Sequence, residues 1–159
     1  MFSFTFVAMF ALNLPTFPFK IVEDQGKHKI FDPIRRKYLV LTPEEWVRQH
    51  FIQFLISEKG FPKGLFHLEG GVKVHQKKGR YDAVFKNRNG EPLLLIECKA
   101  PSVKITTETF HQLARYNSRL NVPYLVVTNG LEHYFLQVDF AENKIKILND
   151  LPHYQYIAS

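Results

Sequence analysis

The 159-residue sequence contains one cysteine, one tryptophan and two methionines. A single thiol excludes an internal disulfide and any Cys-x-x-Cys motif, and it fits a reducing compartment. The seven histidines are scattered without paired-ligand spacing, so zinc chemistry has no support. Gly-rich phosphate loops are missing as well. Gly70-Gly71 stands alone and reads as a turn, which leaves an ATPase unsupported. No apolar run is long enough to span a bilayer. The opening stretch from Met1 to Leu12 is apolar, but it is short and lacks a basic leader. It is read as an extension over residues 1–12, with Met1 or Met9 as the start. A single domain is expected over residues 13–159, located in the cytoplasm and without a membrane partner. Acidic residues are the scarcer charge, 15 against 21 Lys and Arg, giving a net charge of +6. An excess of positive charge suits a polyanionic partner such as DNA.

The chain does have apolar and aromatic side chains, with fifteen Phe and seven Tyr. Its length suits one domain with a packed core. Residues 13–40 read as short strands punctuated by turns at Asp24-Gln25-Gly26 and Asp32-Pro33. A helix follows with an N-cap at Thr42, Pro43 in its first position and Glu45 in its third, which predicts a capping box. Trp46, Val47, His50, Phe51, Phe54 and Leu55 form its buried stripe, and Gly60 ends it. His50 lies on that stripe and is expected in the core. Val72 to His75 alternates as a strand, and Gln76-Lys77-Lys78-Gly79 is a basic turn. The stretch from Arg80 to Lys99 reads as a β-hairpin turning at Asn87 to Gly90. A second helix, capped by Thr106, runs to about Leu120. A buried strand over Pro123 to Thr128 and a closing hairpin complete an α/β (α+β) layer fold, in which helices flank a mixed sheet.

The hairpin carries the chemistry. Alternation along its second strand puts Glu97 and Lys99 on one face and turns Cys98 to the other. Pairing through the Asn-Gly turn brings Asp82 toward both. Two carboxylates and an ammonium at a sheet edge are what phosphodiester hydrolysis needs. Mg²⁺ takes oxygen ligands and is satisfied by one or two carboxylates. Asp82 and Glu97 supply these, and the backbone carbonyl of Cys98 is a candidate third ligand. Lys99 is placed to hold water or developing negative charge. Gln112 and Tyr116, four apart on the second helix, share a face that can lie over this group. Gln112 would orient Lys99 or the water, and Tyr116 would touch a phosphate. The Cys98 side chain is better read as a small core residue than as a nucleophile.

Asp82, Glu97-Cys98-Lys99 and Gln112-Leu113-Ala114-Arg115-Tyr116 together resemble the PD-(D/E)xK nuclease superfamily. The Gln-x-x-x-Tyr pattern is similar to that of its RecB-like branch. The nearest likeness is the N-terminal nuclease domain of type I restriction enzyme R subunits, over roughly residues 30 to 150. The resemblance implies a restriction-endonuclease-like mixed sheet flanked by helices and Mg²⁺- or Mn²⁺-dependent DNA cleavage. It implies metal binding by Asp82 and Glu97, catalysis by Lys99 and support from Gln112 and Tyr116. Members often carry an acid on the first core helix, which here points to Glu45. Tyr81 stands before Asp82 in place of the motif's proline, which is commonly absent from members of the superfamily. No helicase motor follows within the 159 residues, so restriction by this chain alone is not expected. Other restriction or repair subunits, or further copies of the chain, are the expected protein partners. The alternative is a DNA-binding or assembly module that keeps the fold without cutting independently. In either case phosphate contacts are expected from Lys73, Lys77, Lys78, Arg80 and Lys104.

Overall fold

The computed structural model describes residues 11–68 and 82–158, with the side chains of Tyr116 and Arg119 left aside. The strand expected over Val72 to His75 lies outside these residues, as do Lys73, Lys77, Lys78 and Arg80.

The chain first forms an antiparallel meander of β1 (Ile21–Asp24), β2 (Lys27–Asp32) and β3 (Lys37–Val40). Its second turn is organised by Asp32. One carboxylate oxygen accepts from the backbone N–H groups of Ile34 (2.8 Å) and Arg35 (3.2 Å), and the other accepts from Arg35 Nε at 2.7 Å. The alternating Phe17 and Phe19 precede β1. Their rings pack against His50, and Phe19 also meets Trp46.

Helix α1 (Pro43–Lys59) begins and ends on the expected residues. The Thr42 hydroxyl accepts from the Glu45 N–H at 3.0 Å, satisfying one of the donors a helix start leaves open. The capping box is only half made, because the Glu45 side chain turns to Arg48 and Gln49 instead of back to the cap. Gly60 closes the helix at φ 74°. An L side chain in that left-handed conformation costs about 1–2 kcal/mol. A Cβ there would also run into the His153 ring, so Gly60→Ala is expected to lower the urea unfolding free energy by at least that amount, and an unchanged midpoint would contradict this account of the helix end.

The main sheet has six strands in the order β4-β5-β6-β7-β8-β9. These are β4 (Phe66–Leu68), β5 (Ala83–Lys86), β6 (Pro92–Cys98), β7 (Tyr124–Thr128), β8 (His133–Asp139) and β9 (Lys144–Leu148). All neighbours are antiparallel except β6 and β7, whose parallel pairing needs the crossover supplied by α2 (Thr107–Leu120). The three-residue β4 was not anticipated from the sequence, nor was a last short helix, α3 (Tyr154–Ile157).

Both faces of the sheet are covered. Ala83, Phe85, Leu94, Ile96 and Cys98 pack with Val47, Phe51 and Leu55 of α1 on one side. Val84, Leu95, Leu125 and Val127 pack with Leu113 of α2 on the other. This makes β6 a central strand that is apolar on both faces until Glu97, the pattern of a strand sandwiched between helices. Its last residues emerge at the edge of a rigid core.

Candidate active site at the ends of strands β5 and β6

The Asp82 N–H donates at 3.1 Å to the carbonyl of Ile96, the residue that Ala83 already pairs with, so Asp82 lies just beyond the last rung of the ladder, beside the end of β6. Asp82 is buried, and its Oδ2 accepts from the Cys98 N–H at 2.6 Å. On the far side of β6, the Lys99 N–H donates to the Thr128 carbonyl at 2.8 Å. Backbone groups of successive strand residues point to opposite neighbours. The Cys98 carbonyl therefore points, with its N–H, to the Asp82 side. Lys99 Nζ lies 3.1 Å from Glu97 Oε2, with about a quarter of each side chain exposed. Asp82, Glu97, Lys99 and the Cys98 carbonyl thus meet at one sheet end.

Electrostatics mark the same place. The Glu97 carboxyl is pushed up from 4.5 to about 7. Burial is the largest cause, followed by the charge on Asp82. Lys99 opposes the shift, and Glu44 adds to it. Two carboxylates that resist simultaneous ionisation in a half-buried site are a fitting donor set for a divalent cation, which relieves their repulsion. Hard oxygen donors in this number suit Mg²⁺ or Mn²⁺. Among the described residues no group of three or more His, Cys, Asp or Glu side chains is gathered to hold a metal, so the backbone carbonyl and water would complete such a shell.

A titration result follows from Glu97. The folded protein holds its proton up to about pH 7, whereas the unfolded chain releases it near 4.5. Between these values the native state binds more protons, so stability falls as pH rises. Glu97→Gln in metal-free protein is expected to remove this loss and to stabilise it at pH 8 by about 2–3 kcal/mol. Urea midpoints at pH 5 and pH 8 check it, and a wild-type-like pH dependence in the variant would refute it.

The remaining expected residues are distributed as follows. Glu45 is buried on α1, where its carboxylate meets Arg48, Gln49 Nε2 (2.7 Å) and Arg35 Nη2 (3.6 Å). Its neighbour Glu44 is the acid whose charge reaches Glu97 and Cys98. Gln112 is exposed on α2, off the stripe of Phe110, Leu113, Asn117 and Leu120 by which that helix packs. Lys104 is exposed in the loop before α2. Burial pushes the Cys98 thiol well up, and the Asp82 charge pushes it further, so it stays protonated and inert. His50 is a core residue. Its Nδ1 lies 2.9 Å from the Trp46 carbonyl, and burial lowers its pKa.

Sequence reasoning missed Glu44 and Arg48. Arg48 Nη1 lies 3.8 Å from Asp82 Oδ1. Glu44 looks like an ordinary acid in a first helical turn, where it complements the helix dipole. Arg48 was visible only as the residue three after Glu45.

A family model for the type I restriction enzyme R protein N terminus matches residues 43–152. The chain belongs to this family. The matched span begins with α1 and contains Asp82, Glu97, Lys99, Gln112 and Tyr116, leaving the three-stranded meander ahead of it. Among solved structures, a fragment described as an HsdR subunit of a type I restriction enzyme from Vibrio vulnificus YJ016 is similar, with a TM-score of 0.49 and 19% identity. The alignment covers 74% of this chain and 24% of that one. No curated protein matches. No helix among the described residues is long and apolar enough to cross a membrane.

Proposed function

We propose that this R-protein N-terminal domain is a Mg²⁺- or Mn²⁺-dependent DNA phosphodiesterase of the cytoplasm, with Asp82, Glu97 and the Cys98 carbonyl as metal ligands. The observation that carries the reading is the hydrogen bond from the Cys98 N–H to Asp82 Oδ2, which holds that carboxylate at the end of β6 where its charge reaches Glu97, with the Lys99 ammonium 3.1 Å from Glu97. A divalent cation bound there lowers the pKa of its water and neutralises phosphate charge.

The chain's own residues do the rest. The Cys98 N–H fixes Asp82 Oδ2, so this ligand needs no reorganisation before binding. Lys99 carries three donors. One remains on Glu97, and the others are available to the attacking water and a non-bridging phosphate oxygen. Because Glu97 and Lys99 sit on a strand anchored in the core, their charges are preorganised for the transition state, where such fixed charges count most. Water adds to phosphorus, the P–O bond to the leaving nucleoside oxygen breaks, and that oxygen leaves with a proton from solvent. Gln112 and Tyr116 support the substrate from α2, and Lys73, Lys77, Lys78, Arg80 and Lys104 contact phosphates.

The test is supercoiled plasmid DNA incubated with the protein and Mg²⁺ or Mn²⁺. Nicking by the wild type and none by Asp82→Ala is expected. Equal, metal-independent nicking by both would overturn the reading. DNA binding should weaken with added salt as lysine–phosphate contacts release counterions. A second reading is an assembly module that cuts only with partner subunits. Binding without cleavage in the wild type would select it.

A further inference from the structure

The meander of β1, β2 and β3 lies ahead of the family-matched span, and the proposed reaction makes no use of it. Its two faces differ. Ile21, Ile30 and Leu39 oppose one another across the strands and turn inward, with Ile30 fully buried. On that side Asp32 and Arg35 tie the turn after β2 to Glu45 of α1. Alternation puts the neighbouring rows on the outer face. In one row Lys29 stands between Val22 and Val40. In the next, Phe31 stands between Tyr38 and Lys20, whose carbonyl accepts from the Phe31 N–H at 2.9 Å. Asp24 and Lys27 end the face beside the first turn. We propose that this outer face is a docking surface for single-stranded DNA, with bases stacking on the Tyr38 and Phe31 rings and phosphates held by Lys20 and Lys27.

Three observations support it. Val22, Tyr38 and Val40 stay 41%, 44% and 47% exposed on neighbouring strands, so the apolar surface is one patch and not scattered side chains. The Phe31 and Tyr38 rings meet edge to face, with centroids 5.2 Å apart at 63°. The ring that offers its edge keeps both of its own faces clear of the other, and Lys20 Nζ lies 5.7 Å from the Phe31 centroid. Aromatic rings bordered by cations are how single strands are held without regard to sequence, because every base has a π-face. The charge on the face has the matching sign. Lys20, Lys27 and Lys29 stand against one acid, Asp24, which Lys29 Nζ already meets at 2.7 Å. Lys20 and Lys27 are exposed, and Arg36 and Lys37 are exposed immediately before Tyr38. A neutral apolar partner would leave these cations uncompensated, whereas a phosphate chain meets them. A duplex keeps its base faces within its own stack and offers none to the rings.

The test is fluorescence anisotropy of a labelled oligothymidylate with the full chain in EDTA, beside a duplex of the same length. Working without metal keeps it independent of the metal-site reading. The proteins are wild type, Tyr38→Ala, Tyr38→Phe and the double variant Lys20→Gln/Lys27→Gln, each checked by circular dichroism. Tyr38→Ala should weaken single-strand binding about tenfold or more, the loss expected of one stacked base. Tyr38→Phe should stay within about twofold of wild type, because stacking needs the ring and not the hydroxyl. The double variant should bind more weakly, with a salt dependence of log K shallower by about 1.4, for two phosphate contacts at about 0.7 each. Wild-type protein that does not bind the single strand would overturn the proposal, as would Tyr38→Ala binding like wild type. Equal losses in Tyr38→Ala and Tyr38→Phe would overturn it too, since the hydroxyl would then be the contact. A duplex bound more tightly than the single strand, and equally dependent on the Tyr38 ring, would make the face a duplex contact and likewise refute it. If Tyr38→Ala does not fold, the lysine variant decides, and an unchanged affinity and salt slope there would be fatal.

Discussion

Lys99→Met is expected to abolish measurable DNA cleavage while leaving Mn²⁺ binding intact. The Lys99 ammonium lies against Glu97 at 3.1 Å and is not itself an oxygen donor. Its loss removes charge stabilisation of the transition state without removing a ligand. Deleting one such fixed group costs a factor of about 10²–10³ in kcat, roughly 3–4 kcal/mol of barrier. Metal affinity should hold or rise, because a competing cation has left the site. Asp82→Asn is the complementary variant. Its amide oxygen can still accept from the Cys98 N–H, so the strand end keeps its shape. With the charge gone, both Mn²⁺ binding and cleavage should fall. Calorimetry and plasmid nicking at pH 8.5, above the Glu97 titration near 7, separate the two effects. If Lys99→Met cuts at the wild-type rate, Lys99 has no catalytic role. If it loses Mn²⁺ together with cleavage, the division of labour between Lys99 and Asp82 is wrong.

Phe85→Ala is expected to have the largest effect on stability. Phe85 is fully buried on β5, with its ring 4.9 Å from Phe61, 5.0 Å from Phe66 and 5.4 Å from Tyr154. It therefore joins the end of α1, strand β4 and helix α3 to the main sheet. Truncating such a ring costs about 3–5 kcal/mol, the transfer of the ring plus the cavity it leaves. Against a typical total of about 5–15 kcal/mol that is a large share, and it corresponds to a fall of about 10 °C in Tm for a domain of this size. Because Phe85 anchors the strand that Asp82 precedes, Mn²⁺ affinity should fall as well. Thermal and urea unfolding check the prediction, and a loss below about 1 kcal/mol would show that this corner repacks freely.

Much of this molecule is legible in its sequence. Thr42, Pro43 and Gly60 mark the ends of α1 because capping and positive φ are local demands on particular residue types. The pairing of the two hairpin strands follows from the turn and the alternation of Ala83 to Lys86 against Leu93 to Cys98, which brings Asp82 to the end of β6. Glu97 and Lys99 are two residues apart on one strand, so their shared face needs no tertiary information. The matched span of residues 43–152 contains both.

Other features were settled only by packing. Three residues of β4 are too few to show a period, and they become a strand because β5 offers its edge. Phe17 and Phe19 alternate like a strand, yet they precede one, because His50 and Trp46 of α1 take their rings. Glu45 has the spacing of a capping-box acid, but two buried arginines outbid the cap for its carboxylate. Its neighbour Glu44 is the acid whose field reaches Glu97. Periodicity and caps are properties of the backbone within a few residues, so the sequence determines them directly. Whether a carboxylate faces a cap, an arginine or a metal depends on which distant side chains share its low-dielectric surroundings, and only the closed tertiary structure decides that.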